Sequence, residues 1–282
     1  MIEKKRLTNG FEYIEIENSY AKAKIALQGA HLFYYKNNAS SSPLMWTSNS
    51  TFFEEGKAIR GGVPICFPWF GKLKEKPELP QHGFARVSPW EVVAQEEKED
   101  GSTVVRLELI NNKKHFSVWG YLFKLQLEIV VAKSLEMRLM IENLDVKSFE
   151  ISTAFHSYFS VSDITRVEIK GLENRRYYDA LDEKSYEQKM KFQVDKEIDR
   201  VYFNSKNPLD LMDTHRTITL TSKGSNSLVV WNPWVEKSHQ MKDMCDDGYK
   251  NMLCLETGNV MEDRVIVEPK KKHLLELMVQ EH

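Results

Sequence analysis

Cysteine is scarce. The three present, Cys66, Cys245 and Cys254, form no CxxC pair and leave one thiol without a mate. This argues against a disulfide framework and suits free thiols in a reducing compartment. No apolar run is long enough to span a bilayer, and Met1-Ile2-Glu3-Lys4-Lys5-Arg6 has no apolar h-region, so a cytoplasmic protein without a membrane partner is expected. Charge of one sign is missing too. Thirty-nine Lys and Arg stand against 41 Asp and Glu, for a net charge of -2. The basic runs Lys4-Lys5-Arg6 and Lys270-Lys271-Lys272 read as solvated charge rather than a nucleic-acid surface. GxGxxG, P-loop, GxSxG and HExxH patterns are absent. His31, His82, His115 and His156 lack the Cys or carboxylate spacing of a metal site, so no metal is expected. Cys66 and Cys254 sit among apolar residues that would raise a thiol pKa, which disfavours a thiolate nucleophile. With no low-complexity linker, internal repeat or shift in composition, residues 1–282 read as one domain.

What is present is alternation. Ala21-Lys22-Ala23-Lys24-Ile25 puts apolar residues on one face and lysines on the other. Residues 123–129 and 135–141 repeat the pattern, as half-buried antiparallel strands do. Further strands are expected around 11–17, 30–35, 104–110, 149–159, 217–221, 228–231, 252–256 and 274–279. Residues 99–102, 143–145 and 223–226 look like hairpin turns. Helix is expected only at 233–243, led by Pro233, and 171–193 reads as a long irregular connection. The fold class is all-β, a large antiparallel β-sandwich or barrel with few short helices.

Residues 60–86 form the least regular and most suggestive stretch, Arg60-Gly61-Gly62-Val63-Pro64 running to Gln81-His82-Gly83-Phe84-Ala85-Arg86. Gly and Pro exclude a regular helix there, while Phe67, Trp69 and Phe70 should pack against the body. An arginine at each end fits a pocket for a small anion, since guanidinium presents a planar fork to phosphate or carboxylate. An ordinary connection with solvated arginines fits equally well. In 149–159, Phe149, Ile151, Phe155 and Phe159 share one face, and His156 falls on the other with Ser152, Ala154 and Tyr158. An imidazole of ordinary pKa about 6.5 can exchange protons there, or be structural. Glu256 ends an apolar strand opposite Leu253 and Leu255, either poised for proton transfer or paired with a cation. Asp199 could bind hydroxyls or sit in a turn beside Arg200; Trp231 and Trp234 could stack on a sugar or fill core.

Together, Arg60-Gly61-Gly62-Val63-Pro64 with Phe67-Pro68-Trp69-Phe70-Gly71, Gln81-His82-Gly83-Phe84-Ala85-Arg86, His156-Ser157-Tyr158-Phe159, Asp199-Arg200-Val201-Tyr202, Trp231-Asn232-Pro233-Trp234 and Glu256-Thr257 resemble the hexose-6-phosphate mutarotases (glucose-6-phosphate 1-epimerases) of the aldose 1-epimerase superfamily. Six segments in family order, from about residue 20 to the end, make the resemblance specific. It implies a galactose mutarotase-like β-sandwich and anomer interconversion of a small-molecule hexose 6-phosphate, by a monomer that uses no cofactor. It also implies His156 as general acid and Glu256 as general base. Gln81, His82 and Asp199 would hold sugar hydroxyls, and Arg60 and Arg86 would take the 6-phosphate. Ser157 stands where Thr is common and Ser238 where Ala is usual. Two rivals are a glycoside hydrolase using Asp199 and Glu256 as its carboxylate pair, and a non-catalytic carbohydrate-binding module.

Overall fold

The computed structural model describes residues 1–204 and 208–282. Two eight-stranded sheets make up most of the molecule, and every pairing between the named strands is antiparallel. The first sheet runs Lys184–Glu187, Arg176–Asp179, Ile198–Phe203, Ser227–Asn232, Met252–Asn259, Thr153–Phe155, Ile65–Cys66, with Tyr158–Ser160 also paired to Met252–Asn259. The second contains Phe123–Val131 and Leu135–Asn143, whose residues alternate between buried and half-buried along their whole length. That is the signature of a sheet with one face on the core and one toward water. A four-stranded sheet opens the chain, and Phe149–Ile151 pairs with Val265–Val267.

One hydrophobic cluster draws on both large sheets, taking Phe123, Leu125, Leu127 and Ile129 from one and Val230, Leu253 and Leu255 from the other. Met252–Asn259 is buried at all its positions, unlike the alternating strands. Its second face is therefore covered too. There a smaller cluster of Cys66, Ala154, Val201, Phe203, Val229 and Val260 is packed by Phe70 and Tyr178.

The all-β antiparallel reading holds, and several local expectations are corrected. The strand expected over 149–159 is three short ones, Phe149–Ile151, Thr153–Phe155 and Tyr158–Ser160, in two different sheets. The connection 171–193 contains the strands Arg176–Asp179 and Lys184–Glu187, paired as a hairpin. Both are half-buried or exposed and at the sheet edge, so no apolar alternation marks them. Residues 99–102 do turn a hairpin, between Glu91–Glu97 and Thr103–Ile110. Residues 143–145 and 223–226 instead carry the chain from one sheet to another. The helix Trp234–Gln240 follows Pro233 as expected, while Lys113–Trp119, capped by the Asn112 side chain, was not anticipated. None of the helices among the described residues is long and apolar enough to cross a membrane.

Candidate active site

Three neighbouring strands set the backbone of the site. In Ile198–Phe203, Ser227–Asn232 and Met252–Asn259, Asp199 pairs with Trp231 and Val229 pairs with Glu256. Side chains two apart on a strand share a face, so Trp231 and Val229 bridge Asp199 and Glu256 on one side of the sheet. His156 follows Thr153–Phe155, whose Phe155 pairs with Thr257. The His156 N–H donates to the Pro64 carbonyl at 2.9 Å, extending the pairing of Thr153–Phe155 with Ile65–Cys66, and the same register against Met252–Asn259 resumes at Tyr158–Cys254. These residues line a cavity of about 440 Å³ with Arg60, Phe70, Gly71, Gln81, His82, Tyr178, Ala180, Val201, Lys237, Met241 and Met261. The volume is in the range that holds a small organic ligand.

At the floor, His156 Nδ1 stands 3.3 Å from Glu256 Oε1, and both side chains are almost wholly buried. The imidazole lies flat on the Tyr158 ring, with centroids 4.8 Å apart and planes 5° from parallel, and Tyr158 in turn stacks on Trp46. Burial disfavours charge on each partner. It holds His156 well below its ordinary 6.5, helped by His82, Arg86 and Arg60. It pushes Glu256 well above its ordinary 4.5, helped by Asp199 and opposed by Arg86. Asp199 is raised to about 6, again chiefly by burial, with Lys237 pulling the other way. A site holding two carboxyls and an imidazole with displaced pKa values is equipped for proton transfer near neutrality.

Arg60 is gripped rather than free. Its Nε and Nη2 face Asp243 Oδ2 at 3.2 and 3.0 Å, and Nη1 donates to the Tyr158 hydroxyl at 2.9 Å. Burial works against its charge, but Tyr158 and Asp243 outweigh that and keep the guanidinium protonated. His82 is fixed by the Gly71 N–H, which donates to its Nδ1 at 3.2 Å, and its Nε2 stands 3.0 Å from the Gln81 side-chain nitrogen. His82 and His156 meet nearly edge to face, centroids 5.3 Å apart.

Of the residues singled out from sequence, the cavity thus gathers His156, Glu256, Arg60, Gln81, His82 and Asp199. Arg86 is not part of its lining; Nη2 donates to the Gln81 carbonyl at 2.6 Å and braces the loop that carries Gln81 and His82. Two charged residues escaped sequence reasoning. Lys237 lines the cavity from Trp234–Gln240 and pairs with Glu197 at 2.6 Å, and Asp243 holds Arg60. Lys237 lies on the one helix expected from the sequence, so a search of its faces for cations could have found it. Nothing in the sequence ties Asp243 to an arginine 183 positions away.

The aldose 1-epimerase family model matches residues 12–280. An Escherichia coli (strain K12) protein described as "Putative glucose-6-phosphate 1-epimerase" is 35% identical over 276 residues, 96% of this chain and 90% of that one. Among solved structures, that of a "putative mutarotase" from Salmonella typhimurium superposes with a TM-score of 0.92 at 33% identity, covering 99% of this chain and 93% of its own. A "galactose mutarotase-like protein" from Lactobacillus casei shares the fold at a TM-score of 0.75 and 20% identity, covering 96% of this chain and all of its own. With a family model spanning nearly its whole length and a relative this similar over both chains, the chain belongs to the aldose 1-epimerase family.

Proposed function

We infer that the protein is an isomerase that interconverts the α and β anomers of a hexose 6-phosphate, glucose 6-phosphate foremost. The single observation that carries this reading is the buried His156–Glu256 pair, 3.3 Å apart at the floor of a cavity that also presents the cations Arg60 and Lys237. Anomer exchange opens the hemiacetal. The proton on O1 leaves as the ring oxygen O5 gains one; the resulting aldehyde turns about C1–C2 and recloses. Neither oxidation state nor composition changes, so one acid and one base suffice. Glu256 takes the O1 proton and His156 supplies the one for O5, with roles exchanged on reclosure; each such group typically contributes ~10²–10⁴-fold.

The pKa directions refine that assignment. Burial moves the imidazole down and the carboxyl up, so the two pKa values shift in opposite directions and the groups titrate as a coupled pair. The reactive form carries one proton, on His156, and leaves Glu256 as the carboxylate. Gln81, His82 and Asp199 hold the sugar hydroxyls. Arg60 and Lys237 face the phosphate, while Arg86 adds positive charge and steadies Gln81. Fixing the substrate at its phosphate spends remote binding on orienting C1. The hydrolase alternative would set Asp199 against Glu256; the group that faces Glu256 at 3.3 Å is His156.

Saturation-transfer NMR of anomer exchange, run on glucose 6-phosphate beside glucose and galactose, is the direct test. Fast exchange of the phosphorylated sugar, with much slower exchange of the other two, is expected. Binding without exchange would replace this reading with a carbohydrate-binding module, and release of reducing sugar from a glycan would replace it with a hydrolase.

A further inference from the structure

Cys254 has no part in the reaction above, yet it belongs to the same cluster as the acid–base pair. One donor atom from each of His156, Cys254 and Glu256 lies within 4.8 Å of the other two, and all three residues are buried. His156 Nδ1 and Glu256 Oε2 make no hydrogen bond. Buried polar atoms are normally satisfied, so the lone pairs of this cluster are available to a ligand. His156 and Glu256 line the cavity, which gives that ligand a way in.

The donor set and its spacing say what the ligand would be. With bonds of about 2.0–2.3 Å, a tetrahedral Zn²⁺ holds its donor atoms about 3.3–3.8 Å apart. The 3.3 Å between Nδ1 and Oε1 already meets that spacing, and the sulfur has to close by only about 1 Å. Imidazole, thiolate and carboxylate together suit a borderline-soft cation, whereas Mg²⁺ and Ca²⁺ demand shells of oxygen. Linear spacing concealed this set. The histidine lies about a hundred positions before the other two, and sheet pairing brings it to them: Thr153–Phe155 and Tyr158–Ser160 both lie against Met252–Asn259.

We propose that His156, Cys254 and Glu256 form a binding site for a thiophilic divalent cation of the Zn²⁺ kind, with water or a sugar oxygen in the fourth position, and that occupancy shuts down the acid–base pair. Binding releases the thiol proton, and the proton shared by the pair, to solvent; no electron moves. The cation occupies the lone pairs that would otherwise exchange protons with O1 and O5. Inhibition therefore follows directly from occupancy. The binding claim rests on the three ligands alone and stands apart from which sugar is the substrate.

Cd²⁺ is the probe, because its bond to thiolate gives a charge-transfer band in the near ultraviolet. Titrating the full chain should bind one equivalent with growth of that band. Cys254→Ser, at a residue outside the reaction, should keep basal anomer exchange, lose the band and raise the Zn²⁺ or Cd²⁺ concentration for half-inhibition by about tenfold or more, since even partners one step removed from a metal are worth 10–100-fold. Cys245→Ser, at a partly exposed thiol, should leave band and inhibition unchanged. Glu256→Gln, inactive by design, should weaken Cd²⁺ binding by about as much as Cys254→Ser, a readout that needs no turnover. No band at one equivalent, or a band that survives both Cys254→Ser and Glu256→Gln, overturns the proposal.

Discussion

Replacing Glu256 by Gln exchanges one carboxyl oxygen for an amide of nearly equal size, so it removes the proton acceptor without leaving a cavity. Anomer exchange should fall by ~10²–10⁴-fold while the far-ultraviolet circular dichroism stays that of the native chain; near-normal exchange would take Glu256 out of the mechanism. The pH profile follows from the same pair. At low pH both groups are protonated and no base remains; at high pH both are deprotonated and no acid remains. The kcat/KM profile should therefore be bell-shaped, its imidazole limb displaced below 6.5 and its carboxyl limb displaced above 4.5. A single limb centred above pH 6.5 contradicts the shifts. Arg60→Ala should raise KM for glucose 6-phosphate by about 10–100-fold, the worth of one charge-assisted hydrogen bond, and change KM for glucose much less. Equal changes would show that Arg60 does not read phosphate. At this scale the residues inside distinctive peptides, His156, Glu256, Asp199 and the Gln81-His82 pair, can be singled out from sequence, and the fold gathers them at one cavity. Sequence reasoning fails where the partner is remote and chemically common, because Asp243 is one of 41 acidic residues and only the fold says which one meets Arg60.

Among elements, the register of three strands does most to build the site, and alternation marks none of them, since Ser227–Asn232 and Met252–Asn259 are buried at every position. Strands buried on one face announce themselves, as Phe123–Val131 and Leu135–Asn143 do. Edge strands such as Lys184–Glu187, exposed throughout, carry no such mark. Turns are harder for a different reason: a Gly-Ser-Asn sequence reports that the chain bends and not which sheet it bends toward, so 223–226 reads as a hairpin although it crosses between sheets. The loop 67–83 shows how closely an element can be fitted. Gly83 has φ +72°, and a Cβ there would fall 2.0 Å from the Phe67 carbonyl oxygen, which also accepts the Phe84 N–H at 3.0 Å. Gly83→Ala must move one of two backbones and displace the neighbouring His82. It should lower stability by more than about 1 kcal/mol, seen as a lower Tm, and cut anomer exchange with it. An unchanged Tm would mean the loop is free to shift and does not hold His82 in place.

For the molecule as a whole, buried ionisable groups in and around the site make stability depend on pH in two opposite senses, and one variant probes the carboxyl side. His31, His82 and His156 are buried with depressed pKa values, His31 down to about 3, so their contribution is complete above the ordinary 6.5 and lost as pH falls toward their folded values. Glu256 and Asp199 act the other way. The folded pKa of Asp199, about 6, exceeds its ordinary 3.8, so the folded chain binds that proton more tightly than the unfolded one. That contribution is fully present below 3.8 and disappears as pH rises through 6, leaving a poorly solvated carboxylate in the cavity wall. Asn at position 199 cannot ionise. Asp199→Asn should therefore match the native chain in Tm near pH 3.5 and exceed it from about pH 7 upward, the gap opening between pH 4 and 6. The full shift would be worth about 3 kcal/mol at 1.36 kcal/mol per unit; partial exposure of Asp199 and screening reduce this to about 1–2 kcal/mol. The histidines are common to both proteins, so the difference in Tm reports the Asp199 carboxyl together with its effect on Glu256. A variant no more stable than the native chain at pH 8 would mean that Asp199 is well solvated or well paired when ionised, and that substrate hydroxyls are not needed to satisfy it.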